Sequence, residues 1–456
     1  MPTKPVTVTK NLTAADMKNV LGAIRKNASQ FYRNQTFAVT NERDLQRLWA
    51  QLNAYESLTQ EFMSILWGRI AKTIITSKMW RNPLGFLKKG EVELGEVIEE
   101  AFVNPAKVHI YDDNSVPDEA TLRREPSEVY SAFYVMNYQT FYKVTIHNND
   151  LQKFFLSWDG VESLIAKMTE SLYTAAYLDE YNVMKYMVGQ QLLSGMLYTR
   201  NVGDFENDPK TTVVGIKQVS NDLIFMRKKY NRAGVYTYTG KEDQFFLVTS
   251  NFDALESVEV QAAAFNLDKV QFTGQRILVD SFGELDLERL DELFKNNPDY
   301  VRPTKAELQA LDNIAGVIID RDWFQIYDNL NKFTEQYNGQ KLFWNYFLHV
   351  WRTFASSPFA NAVALVQGDP GITSVTVTPS AVSLAPGEGI ALSVAVENEN
   401  FASAQVTWSS SDPSVTVNQK GYVKVLPAAT VGTATITATS TVDSTKFGTC
   451  TLTITS

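Results

Sequence analysis

Three pairs of adjacent acids are, by residue type, the best candidates for acid–base chemistry: Glu99-Glu100, Asp112-Asp113 and Asp179-Glu180. A glycosidase also uses two carboxylates. However, it needs them at a set distance in space and with opposed pKa values, which adjacency in sequence does not establish. Solvated surface positions or salt-bridge partners are therefore the favoured interpretation of all three pairs.

The other reactive side chains are scattered. His109, His147 and His349 lie far apart, and Cys450 is the only cysteine. A cysteine-based zinc site or an intrachain disulfide therefore cannot be built within one chain. His349 stands among aromatic residues, which favours a packed core or interface position, and Cys450 in a strand-like segment favours a small buried apolar side chain.

Arg123-Arg124, beside Glu125, is a further candidate site. It could bind phosphate, and ion pairs between subunits are at least as good an interpretation. The sequence contains no P-loop, no dinucleotide fingerprint and no nucleophile elbow. We therefore predict no catalytic residue, no cofactor and no metal, and expect that the protein is not an enzyme.

The composition sets further limits. The chain has 456 residues, which suggests about two to three domains. Its formal net charge is -9, whereas a dedicated nucleic-acid binder usually carries a basic stripe. A protein that encloses DNA without gripping it remains compatible. The chain has neither a secretory signal nor an apolar run of the ~20 residues that a membrane span needs, so we expect synthesis in a cytoplasm and no membrane partner.

The chain changes character at 368–371. Beyond this point it is rich in Thr, Ser and Val, contains no Arg or Met, and alternates polar and apolar residues. Strands are predicted around 375–377, 392–394, 406–408, 435–437 and 452–454, separated by Pro, Gly and Asp turns. Short strands at this spacing are typical of a sandwich.

The body before this break mixes helices and strands. Its first 35 residues carry six basic side chains and one acid, and form either a solvated tail or a segment that docks on a neighbour. Apolar residues at helical spacing predict helices over 13–24, 43–75, 160–193 and 285–294. Apolar runs predict strands at 245–248, 275–279, 317–319 and 360–366, the last as a returning strand.

A long two-stranded arm is the main indication of assembly. Residues 91–98 alternate as a strand would, and Val129–Ile146 read as one long strand with most of its apolar residues on one face. An isolated hairpin is marginally stable in water, so this arm should lie on another surface, and another copy of the chain is the candidate. We expect the following residues to contact that copy: Val92, Leu94, Ile98, Tyr134 and Tyr138.

The tail resembles the group 2 bacterial immunoglobulin-like domain. The matching stretches are Val375-Thr376-Val377-Thr378-Pro379, Val406-Thr407-Trp408-Ser409-Ser410-Ser411-Asp412-Pro413, Gly421-Tyr422-Val423 and Gly432-Thr433-Ala434-Thr435-Ile436-Thr437-Ala438. Such domains occur in adhesins, enzymes and virion proteins, so the tail alone is weak evidence for a function.

The body resembles the major capsid proteins of small podoviruses of the Salasvirus (phi-29-like) type. Matching stretches include Asn82-Pro83-Leu84, Lys88-Lys89-Gly90, Ser157-Trp158, Asp179-Glu180-Tyr181, Asp322-Trp323-Phe324, Trp344-Asn345-Tyr346 and Phe359-Ala360-Asn361-Ala362. The order and spacing agree over most of the chain, least well over 200–310.

The resemblance implies an α+β chain with the Hong Kong 97-type capsid fold plus an all-β immunoglobulin-like sandwich. It gives five segments. They are an N-terminal arm and helix (1–55), a peripheral domain (56–195) with an extended loop at about 84–146 and a spine helix at about 160–193, an axial domain (196–345), a returning peripheral strand and linker (346–370), and the immunoglobulin-like domain (371–456).

The implied function is self-assembly into pentamers and hexamers of an icosahedral or prolate phage head, so the localisation would be the virion. The implied partners are other copies of the chain, a scaffolding protein and a portal during assembly, and double-stranded DNA enclosed without sequence-specific binding. A surface adhesin or binding protein that uses the immunoglobulin-like tail is the alternative. A carbohydrate-active enzyme with an accessory module is a third possibility, which the lack of a credible site disfavours.

Overall fold

A computed structural model describes residues 14–55, 57–62, 65, 80–108, 127–147, 158–255, 275–341 and 343–455. The helices are α1 (Ala14–Asn27), α2 (Gln30–Gln35), α3 (Glu42–Ala54), α4 (Trp158–Leu193), α5 (Pro209–Asp222), α6 (Ser250–Leu255), α7 (Leu287–Leu293) and α8 (Lys305–Asp312). The strands of the body are β1 (Gly90–Glu91), β2 (Ile98–Val103), β3 (Val129–Tyr134), β4 (Tyr138–His147), β5 (Tyr198–Asn201), β6 (Gln244–Thr249), β7 (Gln275–Val279), β8 (Ile314–Asp320), β9 (Phe324–Asn338), β10 (Phe343–Ser356) and β11 (Ala362–Val366). The strands of the C-terminal module are β12 (Gly371–Thr378), β13 (Ala381–Leu384), β14 (Gly389–Ala391), β15 (Ser393–Glu399), β16 (Val406–Ser410), β17 (Val415–Val417), β18 (Tyr422–Val425), β19 (Gly432–Ser440) and β20 (Phe447–Ile454).

The N-terminal helices pack on the body. Leu21, Ile24 and Tyr32 of α1 and α2 are buried in the main core, so this part of the basic segment is not a solvated tail. Helix α3 begins where predicted, because the side chain of Asn41 caps it. It ends at Ala54 instead of continuing to residue 75, although residues 57–62 are helical again. The remainder of that predicted helix lies largely outside the described residues.

Helix α4, hereafter the spine helix, has 36 residues and confirms the helix predicted over 160–193. At 1.5 Å per residue it is about 54 Å long. Residues 179–186 are buried on every side of the helix, polar side chains included. A helix buried all round runs through the middle of a domain, so the charged residues of this stretch require partners on several elements.

The strands β1, β9, β10 and β4 form one sheet, in that order, which we call the wall sheet. Alternate residues of β10, such as Trp344 and Tyr346, face the main core. The prediction of one strand over Val129–Ile146 is wrong in one respect, because the structure has two strands there. Asn137 exchanges two hydrogen bonds with the backbone of Phe354 at the break, so β4 joins the wall sheet whereas β3 leaves it and pairs with β2.

In a second sheet, of order β5-β11-β8-β6-β7, the central strands β11, β8 and β6 are buried on both faces. Along β6, Phe245 and Leu247 face the main core while Phe246 and Val248 face a smaller core that also includes residues of α5. Such two-sided burial explains the continuous apolar runs that predict these strands. The strand predicted over 360–366 is confirmed as β11. Residue 345, where the sequence predicts the end of the axial domain, lies within β10.

The C-terminal module is a separate all-β unit whose first strand begins at Gly371, as the change in composition predicts. Its strands alternate buried and exposed residues around a core that contains Trp408, Ile436 and Cys450. Cys450 is fully buried, as expected, and this burial raises the pKa of its thiol.

Candidate subunit interface

The antiparallel pair of β2 and β3, which we call the ribbon, projects from the wall sheet. Its register runs from Ile98 opposite Tyr134 to Val103 opposite Val129. Residues directly opposite one another share a face, and successive residues alternate between faces. The ribbon therefore has an inner face, which contains Ile98 and Tyr134, and an outer face, which contains Val103 and Val129.

The inner face rests on the chain's own body. The ring of Phe102 stacks on Phe359, with ring centroids 5.6 Å apart. Glu100 accepts hydrogen bonds from the hydroxyl of Ser357, at 2.8 Å, and from the hydroxyl of Tyr134. Burial, reinforced by the carboxylate of Glu100, raises the pKa of Tyr134. These contacts hold the inner face against the body through Phe102 and Glu100.

This alternation corrects the interface predicted from sequence for two residues. Tyr134 is 7% exposed and Tyr138 only 2%, both against their own chain. Tyr138 belongs to β4 and packs its ring edge-on against Phe354, with centroids 5.2 Å apart. Neither side chain is available to a neighbour. The arm thus finds part of its apolar cover within its own subunit, contrary to expectation.

The outer face shows what the sequence argument missed. Val103, Val129 and Phe133 are 58%, 59% and 63% exposed, which is unusual for such side chains in a strand pair. The alternation of faces along a strand could have identified them, since Val129 and Phe133 point to the face opposite to that of Tyr134. Of the other predicted residues, Leu94 is exposed in the turn before β2, and Val92 and Ile98 are half-buried. Their contact with a neighbour stays a prediction.

A buried network of four charges ties Lys88 and strands β9 and β10 of the wall sheet to the spine helix. Glu180 accepts from Lys88 at 3.1 Å and from Arg352 at 3.0 Å, and Asp328 accepts from the same two cations at 2.7 Å each. Burial alone would raise the pKa of Asp328, but Arg352 and Lys88 outweigh it and hold that pKa below its usual range. Two cations and two carboxylates thus balance one another in a largely buried place.

The neighbouring acid of the spine helix is paired as well. Asp179 accepts a bidentate contact from Arg289 of α7 and a hydrogen bond from the hydroxyl of Tyr142, at 2.7 Å. Asp179 and Glu180 therefore each form salt bridges with cations of other elements, which is one of the two interpretations favoured from sequence. Of the other pairs, Glu99 is exposed and Glu100 is bound as described above.

The face of the wall sheet opposite the core, the outer sheet face, carries a distinct set of residues. The register places five residues from each of β9, β10 and β4 on it. They are Leu330, Lys332, Thr334, Gln336, Asn338, Phe343, Asn345, Phe347, His349, Trp351, Gln139, Phe141, Lys143, Thr145 and His147. None is an acid, although the chain as a whole is acidic.

Within this face, His349 is packed between aromatic rings, as expected. Its ring lies 6.0 Å from that of Phe141 and 6.3 Å from that of Phe347, and its Nε2 is 2.9 Å from the hydroxyl of Thr334. The Nζ of Lys143 lies over the ring of Phe347, at 5.7 Å from the centroid. Phe141 is exposed at the centre of the group.

Some predicted residues cannot be placed. Arg123, Arg124, Glu125, Asp112, Asp113 and His109 lie outside the described residues. Over the part of the chain that the structure covers, no three His, Cys, Asp or Glu side chains stand close enough to hold a metal ion. In the same part, no helix is long and apolar enough to cross a membrane.

Comparisons with known proteins agree with one another. A family model described as Phi29-like phage major capsid protein matches residues 21–366, and one for the group 2 bacterial Ig-like domain matches residues 371–450. The major capsid protein of Bacillus phage B103 is 29% identical over 446 residues, which cover 94% of this chain and 93% of that protein. The major capsid protein of Bacillus phage GA-1 is 27% identical over 414 residues, covering 88% and 81%.

A solved structure supports the fold. A chain in the structure of the head fiber and inner core protein gp22 of native bacteriophage P68 superposes with a TM-score of 0.50 at 16% identity, covering 65% of this chain and 87% of that one. The body has the Hong Kong 97-type capsid fold.

Proposed function

Because the chain belongs to the Phi29-like phage major capsid protein family, we propose that its copies form pentamers and hexamers that close an icosahedral or prolate shell. It is the major capsid protein of a tailed phage, and the adhesin interpretation is not favoured. Capsid proteins of this family form multimeric shells, so the first partner of the chain is another copy of itself.

The ribbon offers the first of these surfaces. Its outer face presents Val103, Val129 and Phe133 to solvent, and the turn before it presents Leu94 and Val97. A monomeric protein rarely exposes so many large apolar side chains close together without a partner. Covering them would contribute roughly 25 cal/mol per Å² of apolar surface before the costs of association, and a specific interface needs about 1,000 Å² in all.

The negative charge of the ribbon and of the turn before it indicates which surface of a neighbour it contacts. Residues 91–103 contain five acids and no base. Glu93, Glu96 and Glu99 are exposed. The outer sheet face has the complementary character, because its only formal charges are Lys143 and Lys332 and its centre is aromatic. An apolar, acidic strip and an aromatic, basic face on one molecule favour a head-to-tail contact that can close a ring.

We therefore propose that the ribbon of one subunit covers the outer sheet face of its neighbour. Single surface ion pairs contribute only about 0–1 kcal/mol, but this contact would repeat at every subunit of the shell. Val92, Leu94 and Ile98 keep their place in this contact as predictions, whereas Val103, Val129 and Phe133 replace Tyr134 and Tyr138.

Charge reversal tests the contact. One variant carries Lys143→Glu with Lys332→Glu, another carries Glu93→Lys with Glu96→Lys, and a third combines all four changes. We expect each pair of reversals to lower the yield of closed particles at least tenfold by negative-stain microscopy, after co-expression with the scaffolding partner. The combined variant should recover at least half of the yield.

The matched control for the lysine reversals is Lys420→Glu with Lys424→Glu, which makes the same change in net charge on exposed residues of the module. It should leave the yield unchanged. A combined variant no better than the two separate pairs would contradict the ribbon-to-sheet contact. The absence of particles from the unmodified chain would instead contradict assembly itself.

The contents and partners of the shell complete the proposal. The shell would enclose double-stranded DNA without sequence-specific binding, which suits a chain of net charge -9 that has no basic stripe in its sequence. Assembly would use a scaffolding protein and a portal after synthesis in the host cytoplasm. The subunit would act by geometry alone, without enzymatic activity. Its immunoglobulin-like module would lie on the outer surface, where it braces neighbouring capsomers or binds host material.

A further inference from the structure

The C-terminal end of the spine helix carries an unusual glycine. Gly195 has a φ of +64°, the left-handed conformation that commonly ends a helix. Its N–H donates to the carbonyl of Leu192 at 3.0 Å, and the N–H of Met196 donates to that of Gln191 at 2.8 Å. This pair of bonds is a Schellman motif, which satisfies two of the carbonyls left free at a helix end.

The carbonyl of Gly195 accepts its own hydrogen bond from the C-terminal module. The N–H of Ala404, in the connection between β15 and β16, donates to it at 2.8 Å. A Cβ at position 195 would lie 2.7 Å from the nitrogen of Ala404 and 2.9 Å from the side-chain nitrogen of Asn398. Glycine is therefore required twice, once by the backbone conformation and once by the close approach of the module.

The connection that approaches Gly195, residues 400–405, is held in a strained form, and we call it the seat loop. Asn400 and Phe401 have φ values of +48° and +57°. Asn tolerates this region, but a bulky residue such as Phe is an outlier there. Such strain persists only where the surroundings hold the backbone. The ring of Phe401 supplies that hold, because it packs against the main core of the body.

Polar contacts tie both sides of the seat loop. The side chain of Asn201, at the end of β5, donates to the carboxylate of Asp369 at 2.7 Å, and Asn400 donates to the carbonyl of Asp369 at 2.9 Å. On the other side, the side chain of Gln405 donates to the carbonyl of Arg232 at 3.2 Å. The linker between body and module is thereby pinned at the same place as the loop.

We propose that the immunoglobulin-like module is docked in a fixed orientation on its own subunit, with the C-terminal cap of the spine helix as its receptor. The partner of the seat loop is thus the body of the same chain. The module moves with the spine helix as one unit and does not swing on residues 367–370 as a tethered display domain would. This inference stands on the subunit alone and does not depend on the proposed contact between subunits.

Hydrogen exchange of the full-length, unassembled chain tests the proposal, with the amide of Ala404 as the reporter. The perturbation is Gly195→Ala, and the matched control is Gly234→Ala. Gly234 has the same φ of +64°, but nothing lies within 4 Å of its added Cβ. Both changes introduce the same local strain, and only the first one pushes the module away.

We expect exchange at Ala404 to rise about tenfold or more in Gly195→Ala, and to stay unchanged in Gly234→Ala. Equal exchange in both variants and the unmodified chain would overturn the proposal, as would an Ala404 amide that is already unprotected in the unmodified chain. If Gly195→Ala fails to fold, Phe401→Ala replaces it. Exchange at Ala404 should then rise while Ile436, in the module's core, stays protected. Unchanged exchange at Ala404 would overturn the proposal.

Discussion

The four-charge network between the wall sheet and the spine helix makes a strong prediction for Glu180→Gln. The side chain of Glu180 is 1% exposed and that of Arg352 is 4% exposed, so neither charge can be relieved by water. The substitution leaves Lys88 and Arg352 to share Asp328 alone. One buried positive charge then has no counter-charge, although the amide still fills the space.

Removing one partner of a buried ion pair typically costs about 3–5 kcal/mol, because the remaining charge is stranded in a medium of low polarity. Here Asp328 still contacts both cations, and Lys88 is 19% exposed, so we expect the lower end, about 3 kcal/mol. A loss of this size exceeds what a surface substitution normally causes, which is within about 0.5 kcal/mol.

Urea unfolding of the unassembled subunit measures this loss, followed by the helical signal in circular dichroism. That signal reports the body, since the elements of the C-terminal module are strands. Glu93→Gln is the control, because the same chemical change removes an exposed acid from the turn before β2. We expect a clear fall in the urea midpoint for Glu180→Gln, an unchanged slope, and no fall for the control.

A second substitution decides whether charge balance is the cause. Lys88→Met in the Glu180→Gln background removes the stranded charge and leaves Arg352 paired with Asp328. The double variant should be more stable than Glu180→Gln alone. If the unfolding free energies lost in the single variants Glu180→Gln and Lys88→Met simply add in the double variant, charge balance does not stabilise this network, and the reasoning is refuted.

Two further predictions concern single positions. Phe133→Asp, on the outer face of the ribbon, should change the unfolding free energy of the subunit by no more than about 0.5 kcal/mol, yet lower the yield of closed particles. Tyr134→Asp, at the adjacent buried position, should destabilise the subunit itself. The opposite pattern would mean that the two faces of the ribbon are assigned the wrong way round. Burial raises the pKa of Glu335 from 4.5 to about 7, so subunit stability should fall as pH rises through that window, by about 1–2 kcal/mol after allowance for its partial exposure. Glu335→Gln should remove this fall, and a pH dependence unchanged in that variant would assign it to other groups.

The elements that follow one strong local pattern were the ones that the sequence predicted well. The spine helix, the buried strands β6, β8 and β11, and the start of the module at Gly371 all agree with the structure. In each, the period or the continuity of apolar residues reports burial directly. The resemblance to a capsid family supplied the overall fold, which local patterns alone did not specify.

The ribbon shows where local patterns fail. Both faces of β3 carry large apolar side chains, so alternation separates the faces without saying which one rests on the body. That choice is made by Phe359 and Ser357, which lie more than two hundred residues away in sequence. The same holds for Glu180, whose partners Lys88 and Arg352 come from distant segments.

The seat loop is a third case. Asn400 and Phe401 carry no turn signature that would predict two successive left-handed residues, and only the contact with the body explains them. Conversely, the pairing of Gly195 with Ala404 joins two residues that are each unremarkable in sequence. A glycine in the sequence can indicate that another segment approaches it closely, but it does not identify that segment.

The most direct test of the account is a cryo-electron microscopy reconstruction of the assembled shell at a resolution that shows side chains. We predict that the outer face of the ribbon, with Val103, Val129 and Phe133, lies buried on the outer sheet face of an adjacent copy, near Lys143 and Lys332. A shell in which these three side chains remain exposed to solvent, or in which the ribbon contacts another surface, would contradict the account.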